Sequence, residues 1–189
     1  FIHLFEPKDQ WLHFPFEKRI DEDQEDCLVR LLEIIGEDLN REGIRETPKR
    51  ALKMWKEVTE KSKLNITTFD AKGYDQMIIS KDITYYTFCE HHMIPFFGTC
   101  SIGYIPNKRI IGLSKLARTV DYFAKGLNTQ EYMTQNIANF LQKELKPWGL
   151  GVLTKGRHLC QEMRGIKKEG QMITTALKGV MFEQLEVRN

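Results

Sequence analysis

Apolar and polar positions recur along this chain with two periods, and the period switches from helical to strand-like and back. Leu28, Leu31, Leu32 and Ile35 fall at i, i+3, i+4 and i+7, the stripe of an amphipathic helix. Asp21, Glu22, Asp23, Glu25 and Asp26 lead into it and suit the positive end of a helix dipole, and Gly36 is the expected stop. A second helix is expected from Thr47-Pro48, a hydroxyl in capping position followed by proline in the first turn, with Ala51, Leu52, Trp55 and Val58 on its apolar face. After Lys63 the pattern becomes β-like. Tyr85, Tyr86, Thr87 and Phe88 have high strand propensity. From Thr99 to Tyr104 larger apolar residues alternate with small ones, the period of a half-buried strand. Pro106-Asn107 predicts a turn into a second strand, Arg109 to Ile111, and so a hairpin.

Helical spacing then returns in Leu116, Val120, Phe123, Ala124 and Leu127, with Ser114 placed to cap that helix. The next helix is expected from about Gln130, with Met133, Ile137, Phe140, Leu141 and Leu145 facing inward and Pro147 ending it. Val152 to Thr154 and Ile173 to Leu177 read as strands on either side of the run His158-Leu159-Cys160. Strands segregated from helices in this way predict an α+β fold, an antiparallel sheet backed by helices on one face. Residues 1–20 mix Phe1, Phe5, Trp11, Phe14 and Phe16 with charges and show no period. The expected organisation is an N-terminal arm over 1–25 and one domain over 26–189, with helices over 26–63 and the sheet-bearing core over 64–189.

Composition narrows the class. A chain of 189 residues with 41% hydrophobic and 29% charged residues is of ordinary globular make-up. A net charge of +2 gives no reason to expect nucleic acid or an anionic membrane as partner. No run approaches the roughly 18 apolar residues of a membrane span. Four cysteines without a dense, regular framework are expected to be reduced thiols, and the expected setting is cytoplasmic. The chain opens on Phe1 without a signal-peptide pattern, and an upstream stretch is expected to have preceded it.

The chemistry concentrates in Cys89-Glu90-His91-His92 and in His158-Leu159-Cys160. These two short runs hold two of the four cysteines and three of the five histidines. Thiolate and imidazole are the donors zinc binds best. Cys89, His92 and Cys160 as three ligands would leave a fourth tetrahedral position for water, the catalytic arrangement, and zinc lowers the pKa of such a water toward about 7. His91 and His158 would then be free for proton transfer. A structural zinc needs a fourth protein ligand, for which Cys100 and His91 are the alternatives; Cys100, in register with Ile102 and Tyr104, is expected in the core. Lys115 and Arg118, early in a helix, with Arg164, Lys167, Lys168 and Lys178, could hold a polyphosphate or form a solvated basic face. Glu131 could accept two hydrogen bonds from adjacent N–H donors such as guanine N1 and N2, or serve only as a partner to the helix dipole. The residues themselves thus reach zinc-assisted hydrolysis of an anionic, nucleotide-like substrate. Zinc deamination is disfavoured, since H-x-E and P-C-x-x-C are both missing.

At these residues the chain resembles GTP cyclohydrolase I, over roughly residues 26 to 182. The resemblance rests on Gly36 to Ile44 with Thr47-Pro48-Lys49-Arg50, and on Cys89-Glu90-His91-His92 with Pro95-Phe96-Phe97-Gly98. It continues through Gly103-Tyr104-Ile105-Pro106, Gly112 to Arg118, Gln130-Glu131, and His158-Leu159-Cys160 with Met163-Arg164-Gly165. It implies the tunnelling fold: a four-stranded antiparallel sheet with two helices packed on one face, preceded by N-terminal helices. It further implies a homodecamer of two stacked pentameric rings with active sites between subunits. The implied reaction turns GTP and water into 7,8-dihydroneopterin triphosphate and formate, at the start of folate and pterin synthesis. By position, Cys89, His92 and Cys160 correspond to zinc ligands, His158 and His91 to acid–base groups, and Ser114 to a residue serving the ribose rearrangement. Gln130 and Glu131 correspond to guanine contacts, and Lys115, Arg118 and Arg164 to triphosphate contacts. A non-catalytic oligomer of the same fold with a structural zinc, binding nucleotide or acting as a scaffold, is the alternative. The family commonly has arginine just before and just after Leu127 to Glu131, where this chain has Gly126 and Tyr132.

Overall fold

The computed structural model describes residues 24–186, and the expected aromatic arm of residues 1–20 lies outside them. The chain divides into two compact units at Glu57/Val58. The described part of the first carries α1 (Asp26–Ile34), α2 (Glu42–Arg45) and most of α3 (Thr47–Thr59). The helix signals held for α1, with one difference. Leu28 and Leu32 are half-buried, but Leu31 and Ile35 of the same stripe are exposed. Gly36 ends α1 as expected, at φ +84°, with its N–H on Glu33 O and the Glu37 N–H on Leu32 O. Thr47 is not a cap. It lies inside α3, where its hydroxyl donates to Gly43 O, and Glu46 O takes the Arg50 N–H.

The second unit is built on a sheet of five strands. Its elements are β1 (Thr68–Asp70), β2 (Ile78–Cys89), β3 (Pro95–Ile105), β4 (Arg109–Ile111), α4 (Leu113–Ala124), β5 (Leu127–Asn128), α5 (Gln130–Leu145), β6 (Gly149–His158), α6 (Leu159–Glu162), β7 (Met172–Gly179) and α7 (Val180–Glu186). The sheet order is β5-β2-β3-β6-β7. Each of the four long strands is antiparallel to its neighbours among them, and β5 adds a two-residue parallel rung through Phe88↔Leu127 and Cys89↔Asn128. The α+β architecture with a four-stranded antiparallel sheet is therefore as expected, extended by that short edge strand. Inward positions alternate along β3 (Phe96, Cys100, Ile102, Tyr104) and β6 (Leu150, Val152, Thr154). Onto that face pack α4, over β2, and α5, over β6 and β7. Leu116, Val120 and Ala124 of α4 and Met133, Ile137, Leu141 and Leu145 of α5 complete the core. Fully burying a Val, Leu, Ile or Met side chain stabilises by about 1.5–3 kcal/mol.

Three sequence expectations give way to tertiary context. β3 and β4 do not form a hairpin: β3 is flanked on both sides by β2 and β6, so no edge is free, and β4 pairs with β1 instead. Ser114 does not cap α4. The capping position falls to Gly112, and Ser114 is the second helical residue. Leu127 is outside α4, which ends at Ala124; Gly126 turns the chain at φ +93°, a conformation that disfavours any side chain, and Leu127 enters β5 exposed. The start of α5 carries a cap that the pattern did not disclose: the Thr129 hydroxyl accepts from the Tyr132 N–H. Its end follows expectation, with Lys146 left-handed just ahead of Pro147.

Candidate metal centre and surrounding site

The first run of soft donors is the tip of the β2–β3 hairpin. Cys89 closes β2, its N–H donating to Ile94 O while its carbonyl accepts from Met93 N–H, which folds Glu90, His91 and His92 into a tight turn. The second run sits where β6 ends and α6 begins. Register joins the two: Phe88 pairs with Pro95 at the hairpin end, and Phe96 pairs with His158. The two-residue step from His158 to Cys160 then carries the second thiol to the first.

Cys89, His92 and Cys160 bring their donor atoms within 4.8 Å of one another. The Cys89 Sγ–His92 Nδ1 distance is 3.8 Å. Donors about 2.0–2.3 Å from a tetrahedral ion lie about 3.5 Å apart, so this set fits zinc in both chemistry and spacing. Among the described residues no fourth side chain joins the cluster. Cys100 is fully buried in the core between Ile83 and Thr154, as expected of a small hydrophobe. His91 has its Nδ1 3.8 Å from Cys89 Sγ, yet it turns outward, with its Nε2 3.6 Å from Glu90 Oε1. Glu90, to which no motif gives a role, is thus the carboxylate beside His91. Burial raises the Cys160 thiol pKa, as does its hydrogen bond with Cys89, while Arg164 opposes the rise in part.

His158 lies against this cluster. Its ring stacks on Phe96, centroids 4.4 Å apart and planes 10° from parallel, and its Nε2 is 2.9 Å from Gln130 Oε1. Burial lowers its pKa, opposed by the carboxylates of Glu131 and Glu162. Glu131 is exposed at the start of α5, close enough to act on His158. The side chain of Gln130, expected to face a base, is buried; its amide N–H groups meet Thr154 O, Met172 O and Thr174 Oγ1. Arg157 and Glu162 bracket α6 with a two-pronged ion pair at 3.1 and 2.7 Å, fixing the short helix that carries Cys160. No periodicity signals that pair, since only the turn between them aligns it.

Ser114, Lys115 and Arg118 stand on α4; among the described residues no hydrogen bond or ion pair links them to this group. Lys115 and Arg118 line a cavity of about 320 Å³ together with Lys63, Asn65, Tyr122 and Lys125. Arg164 is exposed, four residues beyond Cys160. No helix of the described residues is long and apolar enough to cross a membrane.

Residues 24–189 match the family model described as GTP cyclohydrolase I. A protein named GTP cyclohydrolase 1 from Aquifex aeolicus is 46% identical over 172 residues, covering 89% of this chain and 94% of the relative. Its namesake from Bartonella bacilliformis is 46% identical over 165 residues, covering 84% and 80%. One from Campylobacter jejuni subsp. doylei is 42% identical over 171 residues, covering 87% and 90%. Among solved structures, the apo form of the archaeosine synthase QueF-Like aligns at a TM-score of 0.41 and 15% identity, covering 53% of this chain and 92% of that one.

Proposed function

The chain belongs to the GTP cyclohydrolase I family, and from that premise we propose that it converts GTP and water to 7,8-dihydroneopterin triphosphate and formate, opening folate and pterin synthesis. The observation that carries the reading is the convergence of Cys89, His92 and Cys160 with His158 beside them. Zinc is the metal this donor set suits, and when bound there it would supply Lewis acidity and an activated water. The protein's own groups do the rest. Glu131, with main-chain N–H groups of Gln130 and Glu131 that have no intrahelical acceptor, would hold guanine. His158 would pass a proton to the purine nitrogen as the imidazole ring opens, and His91 would exchange a second proton at the hairpin tip. Ser114 would serve the later ribose rearrangement. Lys115, Arg118 and Arg164 would take the triphosphate.

The family implies an oligomer. We assign this chain the two-ring decamer, with sites between subunits, in the cytoplasm. The cavity lined by Lys115 and Arg118, none of whose lining residues belongs to the cysteine–histidine group, supports that assembly, because a neighbouring copy could bring the two together. Incubating zinc-loaded protein with GTP, then oxidising the product and reading pterin fluorescence alongside formate, tests the activity. Cys160→Ala should lose the metal and formate release together while the protein stays folded and oligomeric. Turnover retained in that variant would sink the ligand assignment.

A further inference from the structure

Behind His158 lies a buried polar network in which chemistry fixes the direction of the bonds made by the Gln130 amide. Thr134, Thr154 and Thr174 bring their hydroxyls to within 2.6–2.8 Å of one another, and Thr134 Oγ1 lies 2.7 Å from Gln130 O. The Gln130 amide sits above them. Its nitrogen is 3.2 Å from Thr154 O and 3.1 Å from Met172 O. Both carbonyls can only accept, so the NH2 must point at them and the amide oxygen must point the other way. That oxygen is 2.9 Å from His158 Nε2. An amide oxygen can only accept, so Nε2 is the ring nitrogen that carries the proton, and Nδ1 is the one left over.

A second observation, independent of the first, explains why the amide reaches that point. A Cβ built on Gly156 would come 2.2 Å from Gln130 Oε1 and 2.7 Å from Tyr85 Oη. Any side chain there would displace the oxygen from His158. Phe96 meanwhile fixes the plane of the imidazole by stacking on it. One contact sets the tilt of the ring and the other sets which edge faces inward.

We propose that Gln130 is a positioning residue for His158, seated by the room Gly156 leaves, and that it holds the Nε2 proton inward, so that Nδ1 is the nitrogen that takes up a proton and passes it to the substrate. The proposal rests on His158 acting on the proposed GTP reaction. If Gln130 merely filled the core, its replacement would lower stability and leave the ring alone.

The test uses the zinc-loaded full chain with isotope-labelled histidine nitrogens, spectra in alkaline buffer reporting which nitrogen bears the proton, and His158→Asn for assignment. The wild type is expected to show the Nε2-protonated ring. Gln130→Met, of similar length but without the amide oxygen, is expected to lose that preference. Its kcat should fall by about 10²-fold or more, as expected when an acid–base group is misplaced, with KM for GTP, zinc content and oligomer size unchanged. Gly156→Ala should do the same while keeping the glutamine, and it decides the matter should Gln130→Met fail to fold. A wild-type ring protonated on Nδ1, or a variant whose kcat falls with its tautomer unchanged, overturns the proposal. No formate from wild-type protein that shows the expected tautomer would instead overturn the reading of the reaction and leave the hydrogen-bond arrangement standing.

Discussion

Cys100 shows how position in the fold decides the chemistry of a side chain. It differs from Cys89 and Cys160 in nothing but position, yet its thiol lies fully inside the core and is pushed up from 9.0 to about 12 by desolvation. Burial raises the Tyr85 hydroxyl too, and the charge on Cys100 would add to that. The sign follows: between about pH 9 and pH 12 the unfolded thiol has lost its proton and the folded one keeps it, so stability falls as pH rises. Cys100→Ala should therefore flatten part of the alkaline decline in urea-unfolding stability, at the cost of a small cavity. An unchanged slope would count against this account. That Cys100 is a core residue was legible from its alternation with Ile102 and Tyr104. The partnership of Gln130 with His158 was not, because it depends on β6, β7 and α5 meeting at one point. The same holds for Glu90 beside His91, where a short turn rather than a period sets the geometry.

The elements that could be read from sequence were those long enough to show a period. Met133, Ile137, Leu141 and Leu145 mark α5 unmistakably, and each is buried. α2, β1 and β5, of four, three and two residues, are too short to carry a pattern. Strand existence was legible and strand partnership was not: the Arg109–Ile111 strand was expected beside β3, but the ladder it joins lies with Thr68–Asp70. The β3–β6 ladder itself depends on close approach. A Cβ on Gly98 would lie 1.8 Å from Lys155 O, which is backbone and cannot swing aside. Gly98→Ala should push β6 away near the end that delivers His158 and Cys160. We expect a loss of about 1–3 kcal/mol in unfolding free energy, the range for overpacking, with weakened zinc retention measured by chelator competition. Full stability with wild-type metal affinity would contradict this.

Across the whole molecule, charge is nearly balanced at +2 while basic side chains gather around the α4 cavity. The field that would draw a triphosphate is therefore local. If a neighbouring copy completes each site, activity should fall on dilution in step with the dissociation seen by light scattering. A fully active monomer would refute shared sites. Assembly was legible only through family resemblance, since no periodicity within one chain encodes which faces meet. The meeting of Cys89, His92 and Cys160 depends on one alignment of strands. Phe96 opposite His158 sets the phase of β6 against β3, and sliding one strand by a single residue would turn every side chain to the opposite face. Cys160 would then miss Cys89 and His92. On the proposed ligand set an ion would close only on chains whose strands have aligned correctly, so metal capture would discriminate native molecules from misaligned ones before either meets a nucleotide.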